Sequence, residues 1–210
     1  MKAIGIDMTQ SSKLCSLAVI EDGTGKVALK NINDICNDDA LVQLCQGAEV
    51  VAMDSPLFLP LGLCCLKESC NCQSLSNKKG RECERLLSKR GISSYYTTKK
   101  TFIKPMIYRS IELARQISSI GTTVIEVYPY ASGVALFGSG LPIKNKNRKA
   151  YCSSLTEKIS KLVSGISLIK SLDQADAVLA AYTGLLWLRG EAEAIGSHDE
   201  GYIWLPLRFI

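Results

Sequence analysis

The chain has 210 residues, 47% hydrophobic and 21% charged, with a net charge of +5. That suits one domain, residues 1–210, with a real core, and it is compatible with a polyanionic partner. No apolar run reaches the roughly 18 residues of a membrane span; the longest, near residues 178–188, contains Thr183 and Gly184. We therefore expect no membrane association.

The first residues read as a strand rather than a secretory signal, so the expected location is cytoplasmic, where thiols stay reduced. Nine cysteines in that setting suggest metal binding or ordinary burial rather than disulfides. In chain order, residues 3–7, 14–20 and 26–32 have the short apolar runs of three consecutive strands. Turns are expected at 8–12 and 22–25. Residues 38–45 read as a short helix with acids in its first turn, closed by Gly47. Residues 49–54 form a fourth strand ending on Asp54, stopped by Ser55-Pro56. The stretch 57–79 has no clear period and opens an insertion, cysteine-rich and basic, taken as 57–105. Within it residues 80–89 are helical, with Gly91 as a stop. Residues 105–119 make another helix, with Pro105 in its first turn. Residues 123–127 are a fifth strand, terminated by Tyr128-Pro129. Residues 147–163 and 171–189 are helices, and 202–206 a last short strand or docking segment.

Three strands, then alternating helices and strands, is an α/β order. It suits a mixed sheet whose first three strands are antiparallel and whose later strands run parallel to the first. This is the order of the RNase H-like fold. In such a sheet the first and fourth strands are neighbours, so Asp7 and Asp54 end side by side.

Asp7, Asp54 and Glu126 sit at or near strand ends, and Asp173 and Asp176 share one face of the last helix. Converging carboxylates repel one another and need a cation. Two divalent ions ~4 Å apart activate water and stabilise the leaving oxygen of a phosphodiester, and hard oxygen ligands favour Mg²⁺ or Mn²⁺. Asp7, Asp54 and Asp176 are the expected metal ligands. Each acid also has a plain structural reading. Asp7 fits a loop cap and Asp54 a turn. Glu126, between Ile125 and Val127, fits a solvent-facing strand residue. Ser171 to Gln174 matches a capping box, which makes Asp173 an ordinary first-turn acid. Asp176 lies deeper, beside Ala177, Ala180 and Ala181, and is preferred over Asp173.

Cys65, Cys70, Cys72 and Cys83, with Cys64 as a substitute, crowd into one region with the spacing C-x₄-C-x-C-x₁₀-C. The spacing is not that of a standard zinc finger, but four thiolates can close a Zn²⁺ site or hold an iron–sulfur cluster. Chance clustering of reduced thiols is the alternative. Cys15, Cys36, Cys45 and Cys152 are scattered and read as core or surface thiols. Lys78, Lys79, Arg81, Arg85, Lys99, Lys100, Lys104 and Arg109 form a basic tract around Tyr95 and Tyr96, and Lys144, Lys146, Arg148 and Lys149 a second cluster. Lys and Arg contact phosphates and exposed Tyr stacks on bases; a solvated helix face is the plainer reading. His198, the only histidine, reads as exposed.

Taken together, several pieces resemble the domain-of-unknown-function family 429, described as predicted nucleases of RNase H-like fold. They are Gly5-Ile6-Asp7, Ala52 to Leu57, Gly80 to Arg85 with Arg90-Gly91-Ile92, Glu126 to Pro129, Asp173 to Thr183 and Glu200 to Pro206. The resemblance implies that fold and a nuclease activity. The arrangement also looks like RuvC-type resolvases, which carry an acid on the first strand, one on the fourth and a pair on the last helix. Asp7, Asp54, Asp173 and Asp176 hold those places, while the cysteine-rich insertion is a departure that leaves the substrate open.

The expected function is thus a divalent-metal-dependent nuclease acting on DNA or RNA. One alternative is a non-catalytic nucleic-acid-binding protein with a structural metal site. Another is an ATP-using enzyme of the actin–sugar kinase type, against which stand the lack of glycines after Asp7 and the shortness of the chain. Oligomeric state is not readable; a homodimer is among the arrangements allowed.

Overall fold

The computed structural model describes residues 1–10, 13–23, 25–76, 78–144 and 146–207, with backbone only at Ser139. The strands are β1 (Lys2–Asp7), β2 (Cys15–Asp22), β3 (Val27–Ile35), β4 (Val50–Asp54), β5 (Thr123–Val127), β6 (Ala192–Ser197) and β7 (Gly201–Pro206). The helices are α1 (Asp38–Cys45), α2 (Glu82–Lys89), α3 (Lys104–Ser119), α4 (Pro129–Phe137), α5 (Arg148–Ile159) and α6 (Leu172–Leu188). One seven-stranded sheet runs β3-β2-β1-β4-β5-β7-β6. β1, β4, β5 and β7 are parallel, while β2, β3 and β6 pair antiparallel with their neighbours. This is the expected mixed sheet, with β1 between β2 and β4. The expected turns at 8–12 and 22–25 include Ser11, Ser12 and Thr24, which lie outside the described residues.

Side chains of the central strands alternate between two apolar layers, as the period of two requires. Ile4, Ile6, Val51 and Met53 pack with Leu41, Leu113 and Ile117 of α1 and α3. Ala3, Val50 and Ala52 face the other way, onto α6 with α5 behind it. Each fully buried aliphatic side chain here contributes about 1.5–3 kcal/mol. A third cluster joins Cys83 and Leu87 of α2 to Ile195, Ile203 and Leu205 of β6 and β7.

Helix α6 is buried along nearly its whole length, because the sheet covers one side and α4 and α5 cover others. Small residues let it sit close. A Cβ built on Gly5 of β1 would stand 2.0 Å from the Ala177 carbonyl oxygen and 2.2 Å from the Ala181 nitrogen, both backbone atoms. Ser171 caps the helix, its hydroxyl accepting from Gln174 N at 3.1 Å. Gln174 Oε1 accepts from Lys170 N rather than from the cap residue.

Two elements were not anticipated. Strand β6 carries the weak pattern Ala-Glu-Ala-Ile-Gly-Ser and is fixed by pairing with β7 through a tight turn at 198–200. Helix α4 begins directly at Pro129, which reads in sequence as a terminator but occupies the first helical position. No helix among the described residues is long and apolar enough to cross a membrane.

Gly5→Ala tests the close packing of β1 on α6. Helix or strand must move, so the variant is expected to lose at least the 1–3 kcal/mol typical of overpacking. A melting temperature equal to wild type would show that the contact is not tight.

Candidate active site

Asp7 and Asp54 are register partners at the ends of the adjacent parallel strands β1 and β4. Both are partly buried. Their carboxyl groups are near neighbours, and the charge of Asp54 disfavours ionisation of Asp7. Asp176, nearly fully buried on α6, faces this pair. Its Oδ2 accepts from Lys144 Nζ at 2.8 Å, and its Oδ1 has no partner. Asp173, one turn earlier, is half exposed and bonds Arg148 at 2.7 Å.

The electrostatics follow from this crowding. Burial, then the carboxylates of Asp54 and Asp176, hold Asp7 well above the usual carboxylate range. Burial and Asp176 push Asp54 up to about 8, against the opposing pull of Lys144. Asp176 is also raised, burial outweighing its Lys144 partner. Lys144 itself is held above its ordinary value: burial disfavours its charge, and Asp176 more than restores it. Lys144 thus offsets only part of the cost of ionising these three acids.

The donors fit a hard divalent cation. They are carboxylate oxygens, one of them an orphaned buried atom, and the hydroxyl oxygens of Ser55 and Ser94 nearby are also buried without partners. Ser55 and Ser94 line the same small cavity as Asp54 and Tyr95. Among the described residues the acids do not close into a triad with oxygens all within 4.8 Å of one another. Asp7 and Asp54 are the near pair, and Lys144 stands at Asp176.

Glu126 lines the same cavity as Asp54, but both of its oxygens are taken up by other partners. It is 4% exposed. Arg81 Nη1 and Nη2 donate to its two oxygens at 2.8 and 2.5 Å, and Leu57 N donates at 2.8 Å. Arg81 Nε reaches Glu84 at 3.0 Å, and Glu84 also accepts from both the backbone and the hydroxyl of Thr97. Burial works against the Arg81 charge, but Glu126 outweighs it and the guanidinium is held above its ordinary value. Glu200 extends the network by accepting from Leu61 N and Glu82 N. Four separate segments are thereby tied to the end of β5.

The family model "Protein of unknown function (DUF429)" matches residues 5–201. The chain belongs to that family. No curated protein matches its sequence. Two structures of RuvC from Thermus thermophilus, one in complex with a Holliday junction substrate, are 13% identical to the chain. They align over 90% of it and 96% of their own length, with TM-scores of 0.50 and 0.51. The fowlpox virus resolvase with Holliday junction DNA covers 89% and 98%, at 12% identity and a TM-score of 0.43. The RuvC likeness shows that this DUF429 chain has the RNase H-like fold.

The basic tract divides on inspection. Arg81 is buried in the network above and cannot meet a nucleic acid. Arg109 is also buried: it donates to Asp38, to the carbonyls of Thr9, Gln10 and Cys36, and to the Cys15 sulfur. It ties the β1–β2 turn to the start of α1. Arg85 pairs with Glu200 and the Gly80 carbonyl, Lys99 donates to the carbonyls of Cys70 and Cys72, and Lys104 reaches Glu68 at 3.3 Å. Lys78, Lys79 and Lys100 remain exposed. Spacing could not separate these groups, because an arginine that ties loops together looks like one that binds phosphate. Cys83 likewise departs from expectation. It is fully buried under β6, where burial pushes its thiol up to about 12, and Cys64 takes its place in the cysteine cluster. His198 is exposed, as expected. In sequence Lys144 reads only as part of the second basic cluster; its position before an Asn-capped helix gives no hint of the pairing with Asp176.

The two acid types should respond oppositely to neutralisation. Glu126→Gln takes from the buried Arg81 one of its two ionic partners, leaving only Glu84, and should cost up to about 3–5 kcal/mol. Asp54→Asn removes repulsion and should not destabilise the metal-free protein at pH 7–8. Asp54's folded-state pKa, about 8, lies above its unfolded 3.8, so its contribution is complete below pH ~4 and lost as pH rises towards 8. Metal-free wild type should lose up to ~1.4 kcal/mol per pH unit from this proton, and Asp54→Asn should flatten that slope. Denaturant melts in chelator across this range check both; equal losses for the two variants would refute the distinction.

Proposed function

We propose that the chain is a divalent-metal-dependent nuclease that hydrolyses phosphodiester bonds of nucleic acid. The observation that carries this reading is the Asp7–Asp54 pair, two carboxyl groups side by side at adjacent strand ends with Asp176 opposite. Such a cluster is poorly stable as it stands and becomes stable on binding cations. Asp7, Asp54 and Asp176 would hold Mg²⁺ or Mn²⁺, which when bound would activate water and stabilise the leaving oxygen. Asp173, at the rim and paired with Arg148, is the secondary candidate. Lys144 neutralises Asp176 in the free protein and stays 30% exposed, so a phosphate would meet it there.

A neighbouring groove suits a nucleic-acid strand. It is lined by Lys79, Tyr95, Tyr96, Thr98, Lys100 and Phe102. Lys79 Nζ lies 5.0 Å from the Tyr96 ring centre, and the rings of Tyr95 and Phe102 meet edge to face at 5.2 Å. Tyr95 and Phe102 are 65% and 68% exposed, unusual for aromatic side chains that have no binding task. Tyr95 also lines the Asp54 cavity, so the groove leads to the carboxylates. Lysines would meet phosphates and the aromatic rings would stack on bases.

Purified protein should cleave at least one of branched, single-stranded or duplex DNA, or RNA, with Mg²⁺ or Mn²⁺. Asp7→Asn should abolish that cleavage without lowering the melting temperature. Tyr95→Ala should weaken single-strand binding by about 1–3 kcal/mol and leave the fold intact. If wild type cuts none of these substrates and Asp7→Asn mainly unfolds the protein, the catalytic reading fails.

A further inference from the structure

Between Asp54 and Glu82 the described residues form no helix or strand. A long irregular segment of this kind needs something other than a core to hold it. Leu66 is fully buried there, but Phe58, Leu61 and Leu75 are exposed, Leu75 at 76%. Scattered hydrogen bonds help: Leu66 N donates to Tyr108 Oη and Leu75 N to the Leu61 carbonyl. They do not explain why four cysteines gather at its centre.

The sulfurs of Cys64, Cys65, Cys70 and Cys72 lie within 4.8 Å of one another. Cys64 and Cys70 are 3.7 Å apart, sulfur to sulfur. A tetrahedron with Zn–S bonds of about 2.3 Å has edges of ~3.8 Å, so the spacing is that of ligands around one ion. A polynuclear iron–sulfur cluster would stand between its cysteines and spread them further. Lys99 reinforces the geometry: its ammonium donates to the carbonyls of both Cys70 and Cys72. It thereby fixes two ligand residues from behind and places a positive charge beside a site whose four thiolates exceed the charge of the ion. We propose that Cys64, Cys65, Cys70 and Cys72 bind a single structural Zn²⁺, with Lys99 as a positioning residue. Binding displaces the remaining thiol protons to solvent and forms four Zn–S bonds. No redox change occurs. The site is distinct from the carboxylates, whose hard oxygens select a different class of cation. Its structural effect is local: Cys72, Gln73 and Ser74 form one wall of a groove whose other wall includes Lys79, Thr98 and Lys99, so the ion would set the width of that groove.

The test is metal analysis of full-length protein purified under reducing conditions, with Co²⁺ substitution as a spectroscopic probe. One equivalent of zinc is expected, and the cobalt form should show the strong thiolate charge-transfer and tetrahedral visible bands. Cys70→Ser should lose both signals, and Cys64→Ser should weaken them. Cys83→Ser, if folded, should keep them; Cys152→Ser is a second control away from the cluster. Lys99→Met should lower zinc affinity at least several-fold while preserving the cobalt spectrum. The proposal is overturned if reduced wild type binds neither zinc nor cobalt, if the metal comes with acid-labile sulfide, or if Cys64 and Cys70 are found joined as a disulfide in fresh reduced protein. It is also overturned if Cys64→Ser and Cys70→Ser bind metal as wild type does.

Discussion

Helix α6 lies directly on the backbone of β1 because Gly5 has no side chain. A single methyl group there would collide with the backbone of Ala177 and Ala181. This contact sets the depth of the helix, and the depth sets the position of Asp176, which precedes Ala177 by one residue. The carboxylate can face Asp7 and Asp54 only while the helix stays down. Gly184 continues the close approach over Val50 and Ala52. Packing in the sheet's centre and chemistry at its edge are therefore one constraint.

The result is a local imbalance of charge that folding alone does not favour. Three carboxyl groups are brought out of water close enough to disfavour one another's charge, with one lysine against them. The same protein shows what a resolved cluster looks like, a short distance along the sheet. There Arg81 satisfies Glu126 and Glu84, backbone amides fill the remaining acceptor positions, and Glu200 completes the network. That network joins loops, and every carboxylate oxygen of Glu84, Glu126 and Glu200 has a donor. Among the acids and their neighbours, Asp176 Oδ1, Ser55 Oγ and Ser94 Oγ are left without partners. Buried polar groups left unsatisfied are costly, and a bound cation or ligand would relieve that cost.

Much of this was legible in sequence, for identifiable reasons. Strands β1, β4 and β5 are short apolar runs, and the two that end in Asp place their acids side by side once the strands pair in parallel. Ser171 announces α6 because a hydroxyl before a helical run has few other uses. Strand β6 was not legible, since its Ala-Glu-Ala-Ile-Gly-Ser pattern acquires strand character only from β7. Glu126 looked like its fellow acids; only the long-range partner Arg81 separates it from them, and that partner lies 45 residues away in sequence. Arg81 and Arg109 fell into the basic tract for the same reason. Cys83 follows the other cysteines in sequence but starts a helix that turns its thiol into the core, whereas Cys64 stays in the irregular segment with the rest.

The central claim is that the acids at the ends of β1 and β4 exist to bind divalent cations. The most direct measurement is anomalous diffraction from crystals soaked in Mn²⁺. A manganese peak bridging the carboxylates of Asp7 and Asp54, with Lys144 released from Asp176 or sharing it, is the predicted result. Full occupancy of manganese elsewhere, with none at Asp7 and Asp54, would contradict it.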